Sequence, residues 1–216
     1  IIKQYRPSTS SISSGQVLHC PYDFDKGRLI VREMTELLAL DLVRKRVVTR
    51  QVVLDIGYDR ESLTGDRGKL YTGPVVADHY GRKVPKYAHG TGNIDHYTSS
   101  TQAIMEAVLA VYDRVVNPNL LIRRVNIAAC NLISEDDIPT GKPQQLDTFT
   151  DYDAADRAEQ ARKAAEEKER RLQRVTLAIQ DRYGKNAMLK AMNLLDGGTT
   201  IERNGQIGGH KAGEEQ

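Results

Sequence analysis

The chain has little that would mark a secreted, membrane-spanning or metal-bound protein. Among its 216 residues are only two cysteines, Cys20 and Cys130. They lie far apart with no Cys-x-x-Cys spacing, so a disulfide framework and a zinc site are both disfavoured, and buried free thiols in a reducing compartment are expected. No signal-peptide pattern is present, and no apolar run is long enough to span a bilayer, which sets aside a membrane partner. His79, His89 and His96 occur near Asp78 and Asp95 but without tight ligand spacing, so hydrogen-bonded or surface histidines are expected and no metal. An excess of one charge is missing too. The formal net charge is +2, so any basic surface has to be local. Apolar residues make up 39 % of the chain and charged ones 28 %, which places part of the sequence outside a packed core. The chain does not begin with Met and opens in mid-pattern. It reads as a piece of a longer protein, with room for one fair-sized core and appendages.

What is present is a dense run of small hydroxyl side chains, R-P-S-T-S-S-I-S-S-G-Q-V-L-H-C from Arg6 to Cys20. Pro7 favours an extended approach. Ser and Thr let backbone N–H groups come close to an anion while their own hydroxyls donate, which suits phosphate contact. On composition alone the same run is a Ser-rich linker. The residues that follow favour a strand from about Ile12 to Cys20.

Asp25 is the expected cap of a helix over 26–48. Val31, Met34, Leu38 and Leu42 recur at helical spacing, with Arg32, Glu33 and Glu36 on the other, solvated side. Residues 49–58 alternate as a strand, with Val52, Leu54 and Ile56 on one face and Gln51, Val53 and Asp55 on the other. Residues 59–92 have no sustained period and read as an insertion, with a hairpin of 71–77 and 83–88. A short strand over 92–98 leads to a helix begun by Ser99, with Gln102 completing a capping box. Its stripe is Ile104, Val108, Val111, Tyr112 and Val115. After Pro118, residues 121–132 read as a strand with Val125, Ile127 and Ala129 inward and Arg124, Asn126 and Ala128 outward. The order strand, helix, strand, strand, helix, strand predicts an α+β fold of the split β-α-β (βαββαβ) kind. Two helices cover one face of an antiparallel-rich sheet and the other face stays open.

The character changes after Ser134. Residues 138–143 form a linker, and Q-Q-L-D-T-F-T at 144–150 holds two apolar anchors, Leu146 and Phe149. Their spacing suits a short peptide that sinks both side chains into a pocket on another protein. From Tyr152 to Arg174 the composition is strongly helix-forming with little to bury, so a solvated helix is expected. Leu172, Val175, Ile179 and Tyr183 offer a narrow apolar edge. Gly184 interrupts, 186–195 reads as one more helix, and the tail from Asp196 reads as disordered.

Five stretches in this order resemble the C-terminal part, the little finger domain and tail, of a bacterial Y-family translesion DNA polymerase of the Gram-positive type. They are S-I-S-S-G-Q-V-L at Ser11–Leu18, R-E-M-T-E-L-L-A at Arg32–Ala39, R-Q-V-V-L-D-I-G-Y at Arg50–Tyr58, I-R-R-V-N-I-A at Ile122–Ala128, and R-Y-G-K-N-A-M-L-K at Arg182–Lys190 with E-R-N-G-Q-I-G-G-H-K-A at Glu202–Ala212. The resemblance divides the chain into a little finger-like DNA-binding domain (1–133, with the insertion at about 59–90), a linker with a clamp-binding-like peptide (134–151), a charged helical extension (152–195) and a tail (196–216).

It also implies sequence-independent binding of primer–template DNA, damaged templates included. Ser10, Ser11, Ser13 and Ser14 would contact phosphates through amides and hydroxyls, Thr98 and Ser99 likewise, and Arg50, Arg123 and Arg124 would supply the cations. Gln145, Leu146, Asp147, Thr148 and Phe149 resemble the pentapeptide that binds the bacterial β sliding clamp. Gln145 would bond at the pocket rim, with Leu146 and Phe149 inside; Thr148 stands where Leu is usual, which weakens the fit. The other implied partner is the catalytic core of the same polypeptide. Nucleotidyl transfer needs a carboxylate cluster holding divalent ions. Ser134-Glu-Asp-Asp137 follows the last strand and Asp55 has no carboxylate neighbours in sequence, so no catalytic residue is assigned. No cofactor is expected in this fragment, Mg2+ being expected in the parent's palm domain, and a cytoplasmic, nucleoid-associated location is implied. Two other readings remain open: a split β-α-β RNA-binding domain, disfavoured by central strands without exposed aromatics, and a non-catalytic protein-interaction module.

Overall fold

A computed structural model of the chain describes residues 11–139, 152–207, 210 and 211. The elements are β1 (Ile12–Tyr22), α1 (Phe24–Arg44), β2 (Val47–Tyr58), α2 (Gly65–Leu70), β3 (Val75–Ala77), β4 (Lys83–Pro85), β5 (Ala88–Thr98), α3 (Thr101–Val115), β6 (Ile122–Cys130), β7 (Ile133–Ser134), α4 (Tyr152–Tyr183), α5 (Thr200–Asn204), β8 (Gln206–Ile207) and β9 (His210–Lys211). The main sheet has the strand order β1-β6-β2-β5, and β7 adds to the start of β2. Every pairing is antiparallel. β1 and β2 therefore run parallel with β6 between them, which is the split β-α-β arrangement expected from the order of elements.

One face of the sheet is closed. Val52, Leu54 and Ile56 of β2 and Val125, Ile127 and Ala129 of β6 are buried with Ile30, Met34 and Leu38 of α1 and Ile104, Val108, Val111 and Tyr112 of α3. These are the residues that the strand alternation and the two helical stripes select. α1 is capped by Asp23, not Asp25: the Asp23 backbone is extended and its carboxylate accepts from the Lys26 N–H at 2.9 Å. α3 is capped by Ser100, not Ser99, with its hydroxyl accepting from the Ala103 N–H at 3.2 Å. Tyr112 donates its hydroxyl to the Phe24 carbonyl at 2.7 Å, tying the end of α3 to the start of α1. Burial pushes that phenol well above the usual tyrosine range.

β5 begins at Ala88, four residues before the sequence suggests. Gly90 and Gly92 on its inner side allow this, because α3 lies directly over them. A Cβ at Gly90 would sit 2.6 Å from Val111 Cγ1. Further along, Thr49 pairs with Thr98 but Gln51 pairs with Asn93. Ile94, Asp95, His96 and Tyr97 thus stand opposite Arg50 alone, in a wide bulge that re-aims the end of β5.

The insertion after β2 holds a 3-10 turn (Arg60–Leu63), α2 and the β3–β4 hairpin. Asp78 closes the hairpin turn by accepting from the Tyr80 and Arg82 N–H groups and from Arg82 Nε. Among the described residues, the C-terminal segment differs most from expectation. α4 ends at Tyr183, and Gly184 (φ 93°) takes the chain out of the helix. Short 3-10 turns over Lys185–Ala187 and Ala191–Leu194 replace the expected second helix. The segment expected to be disordered from 196 is folded back on the domain as far as it is described. Asp196 pairs with Lys26 at 2.7 Å, and α5 follows. Glu33 explains the docking. It is 2 % exposed and accepts from Asn193 Nδ2 (2.9 Å) and the Thr199 N–H (2.8 Å).

Candidate nucleic-acid interface

The face of the sheet turned away from α1 and α3 is the candidate interface. Register places Ser13, Gly15 and Val17 of β1 beside Ala128, Asn126 and Arg124 of β6. Val53, Asp55 and Gly57 of β2 lie on the other side of those β6 residues. His89, Thr91 and Asn93 of β5 complete the row. Apart from Val17, which is exposed, and Val53, the side chains are small or polar, and several bond to one another across strands. Asp55 holds His89 Nδ1 at 2.6 Å and accepts from Asn126 Nδ2 at 3.3 Å; Gln51 donates to Asn93 at 3.1 Å. No aromatic side chain stands on this face of β2 or β6.

Arg124 is exposed and pairs with Gly57, where a Cβ would come within 3.1 Å of the Arg124 Cβ. The glycine gives the arginine stem a clear bed, and no acidic partner of Arg124 occurs among the described residues. Arg50 is also exposed, 5.6 Å over the Tyr97 ring. It stands seven residues from Gly57, or roughly 23 Å along the strand. Arg50 is two residues from inward Val52, so alternation sets it out of step with Gln51, Val53 and Asp55, and of the two cations Arg124 is the one on the open face.

The other residues expected to touch DNA are scattered. Ser11 and Ser13 are exposed, the first just before edge strand β1 and the second at its start. Ser14 points to the helix side, where its hydroxyl accepts from Arg203 of α5 at 2.5 Å. Burial pushes that guanidinium down from its ordinary value. Arg123 alternates away from Arg124, with Nε 3.7 Å from Asp59. Thr98 and Ser99 are buried beneath α4: the Thr98 hydroxyl donates to Glu166 at 3.0 Å, and the Ser99 carbonyl accepts from Gln173 at 3.0 Å. Ser10 and the peptide 145–149 lie outside the described residues. The sequence reading assigned no role to Gln51, His89, Asn93 and Asn126, which line the face. Their signal was the alternation itself, carried from β6 and β2 into β5.

No group of three or more His, Cys, Asp or Glu side chains is placed to hold a metal ion among the described residues. His96 instead bridges carboxylates, with Nδ1 on Asp95 and Nε2 2.6 Å from Glu166. No described helix is long and apolar enough to cross a membrane.

The architecture is thus a split β-α-β domain with one closed face and one open polar face, flanked by a long charged helix. Residues 9–148 match the model of the impB/mucB/samB family C-terminal domain, and the chain belongs to that family. The resemblance to the C-terminal part of a Y-family polymerase is thereby borne out. The chain is also 26 % identical over 185 residues to a putative UV-damage repair protein, UvrX, of Bacillus subtilis (strain 168). That match takes in 86 % of this chain and 35 % of the relative, so the chain spans about a third of that protein's length.

Proposed function

We propose that this domain binds primer–template DNA without regard to sequence, as the C-terminal region of a lesion-bypass DNA polymerase acting in repair of damaged DNA. The observation that carries the reading is the open face of the sheet. It is mostly polar, has no helix packed on it among the described residues, and offers Arg124 with no acidic partner among them. A duplex backbone needs donors and cations at strand spacing rather than base-reading side chains, and loose contact of this sort tolerates damaged templates. The lack of aromatics on β2 and β6 disfavours base stacking and with it the RNA-binding reading. The parent's reaction would be template-directed nucleotide addition, with Mg2+ held by a palm domain that belongs to the catalytic core. The peptide at 145–149 would tether the protein to the β sliding clamp, and the location would be cytoplasmic, at the nucleoid.

The test is fluorescence anisotropy of labelled primer–template DNA over a salt series. Binding is expected to ignore sequence and to weaken steeply with salt. Arg124→Ala should weaken it on every sequence alike and reduce the salt slope by about 1. Binding that is absent at low salt, or indifferent to Arg124, would move the function to protein interaction.

A further inference from the structure

We propose that the outward face of α4 docks a helix of another protein, one with an apolar seam bordered by acidic side chains. The DNA-binding reading makes no use of this face, and α4 lies beyond the residues that match the family model. What α4 turns inward fixes its orientation. Gln173 and Leu177 are buried, with Gln173 donating to the Ser99 carbonyl and the Thr101 hydroxyl. Glu166 and Glu169 accept from the Thr98 and Ser100 hydroxyls on the same side. The opposite side therefore faces solvent.

That side repeats every seven residues. Ala158, Ala165, Leu172 and Ile179 form one series, and Ala154, Ala161, Lys168, Val175 and Arg182 form the series between them. Alternate spacings of three and four are those of a coiled-coil seam, and the seam runs the length of a 32-residue helix, roughly 48 Å. Leu172 and Val175 are 62 % and 54 % exposed, the four alanines are exposed, and Ile179 is half-buried. In α1 and α3 the apolar stripes are buried in the core, whereas no described element covers this one. Small side chains over its first half let a partner backbone come close, and Leu172, Val175 and Ile179 supply the apolar burial in its second.

Charge selects the partner. The seam and the row beside it (Arg157, Ala164, Arg171 and Ala178) carry four cations, Arg157, Lys168, Arg171 and Arg182, and no carboxylate. Every Asp and Glu of α4 lies on another row. Arg171 leans sideways to Glu167 at 3.3 Å, an exposed pair that holds it weakly. A second copy fits poorly. In a parallel pair Lys168 and Arg182 would meet their own equivalents, and in an antiparallel pair the row of Arg157 and Arg171 would meet itself. DNA would answer the cations but leave Leu172 and Val175 uncovered. A helix with an apolar seam and Asp or Glu along its border answers both.

The experiment titrates the full chain into a labelled synthetic peptide of about 28 residues, four heptads with Leu at both seam positions and Glu along both borders. A twin peptide carries Lys in place of every Glu. The Glu peptide should bind one to one and the Lys twin at least roughly tenfold more weakly. Leu172→Ser/Val175→Ser should weaken the Glu peptide by roughly tenfold or more, because both side chains would be central anchors. Both are exposed, so the fold should persist, which an unchanged melting temperature checks. The same variant should bind primer–template DNA within about twofold of wild type, so the outcome here is separate from that of the DNA-binding reading. The proposal is overturned if the Glu peptide does not bind, if both peptides bind alike, or if the variant binds the Glu peptide as wild type does. It is equally overturned if sedimentation shows a wild-type dimer that the variant breaks, since a second copy then covers the face. Loss of DNA affinity in Lys168→Glu/Arg171→Glu without binding of the Glu peptide to wild type would assign the face to DNA instead.

Discussion

A carboxylate with 2 % of its surface exposed is costly to bury unless donors saturate it, and Glu33 has Asn193 Nδ2, the Thr199 N–H and the Thr199 hydroxyl around its two oxygens. The partners come from a segment more than 150 residues away in sequence. Helical period therefore reads Glu33 as solvated, together with Glu36, which the structure pairs with Lys190 at 2.5 Å. Nothing local to α1 announces that a distant loop covers this side. Glu33→Ala should strand the Asn193 and Thr199 donors, at about 1–3 kcal/mol for each that stays buried. Hydrogen exchange over 190–204 should rise well before the sheet is affected. Glu33→Gln keeps one acceptor oxygen and should show a smaller rise. Exchange unchanged in Glu33→Ala would mean that the tail does not depend on this residue.

At the scale of elements, apolar spacing predicts what packs by apolar contact and fails where packing is polar. The stripes of α1 and α3 and the inward residues of β2 and β6 were legible because burial of those side chains is what forms the core. α4 was not. Of its expected apolar edge, Leu172, Val175 and Tyr183 are 54–66 % exposed and Ile179 is half-buried, while the side that docks carries Gln173, Glu166 and Glu169 with Leu177. Hydrogen bonds to a helix start leave no period in the sequence. The approach of α3 to β5 was equally hidden, because a glycine in a strand says only that something is close. Gly90→Ala tests it. The added methyl would lie 2.6 Å from Val111 Cγ1 and 3.0 Å from Val115 Cγ1, so one side chain or the helix has to shift. Overpacking of this kind costs about 1–3 kcal/mol. Urea denaturation should show the lower midpoint with an unchanged slope. An unchanged midpoint would show that α3 yields freely.

For the whole molecule, the open face could be read from alternation, but its membership could not. Five of the expected DNA contacts, Ser14, Arg50, Arg123, Thr98 and Ser99, turn away from it, fall out of step with it or lie covered, because strand parity, the bulge before Thr98 and the docking of α4 and α5 are decided by tertiary contacts. A fragment that grips DNA on one face gains processivity only if something holds it near the primer end. The peptide 145–149 stands between the sheet domain and α4 in sequence and is the proposed tether. Two sites on one chain that engage clamp and DNA together raise each other's effective concentration without new contacts. Replacing Leu146 and Phe149 together by Ala should therefore abolish retention in a β-clamp pull-down while leaving anisotropy with naked primer–template unchanged. On clamp-loaded DNA the same variant should lose the gain in apparent affinity that the clamp gives the wild type. Undiminished retention on the clamp would remove the peptide from the account and leave DNA contact to the open face alone.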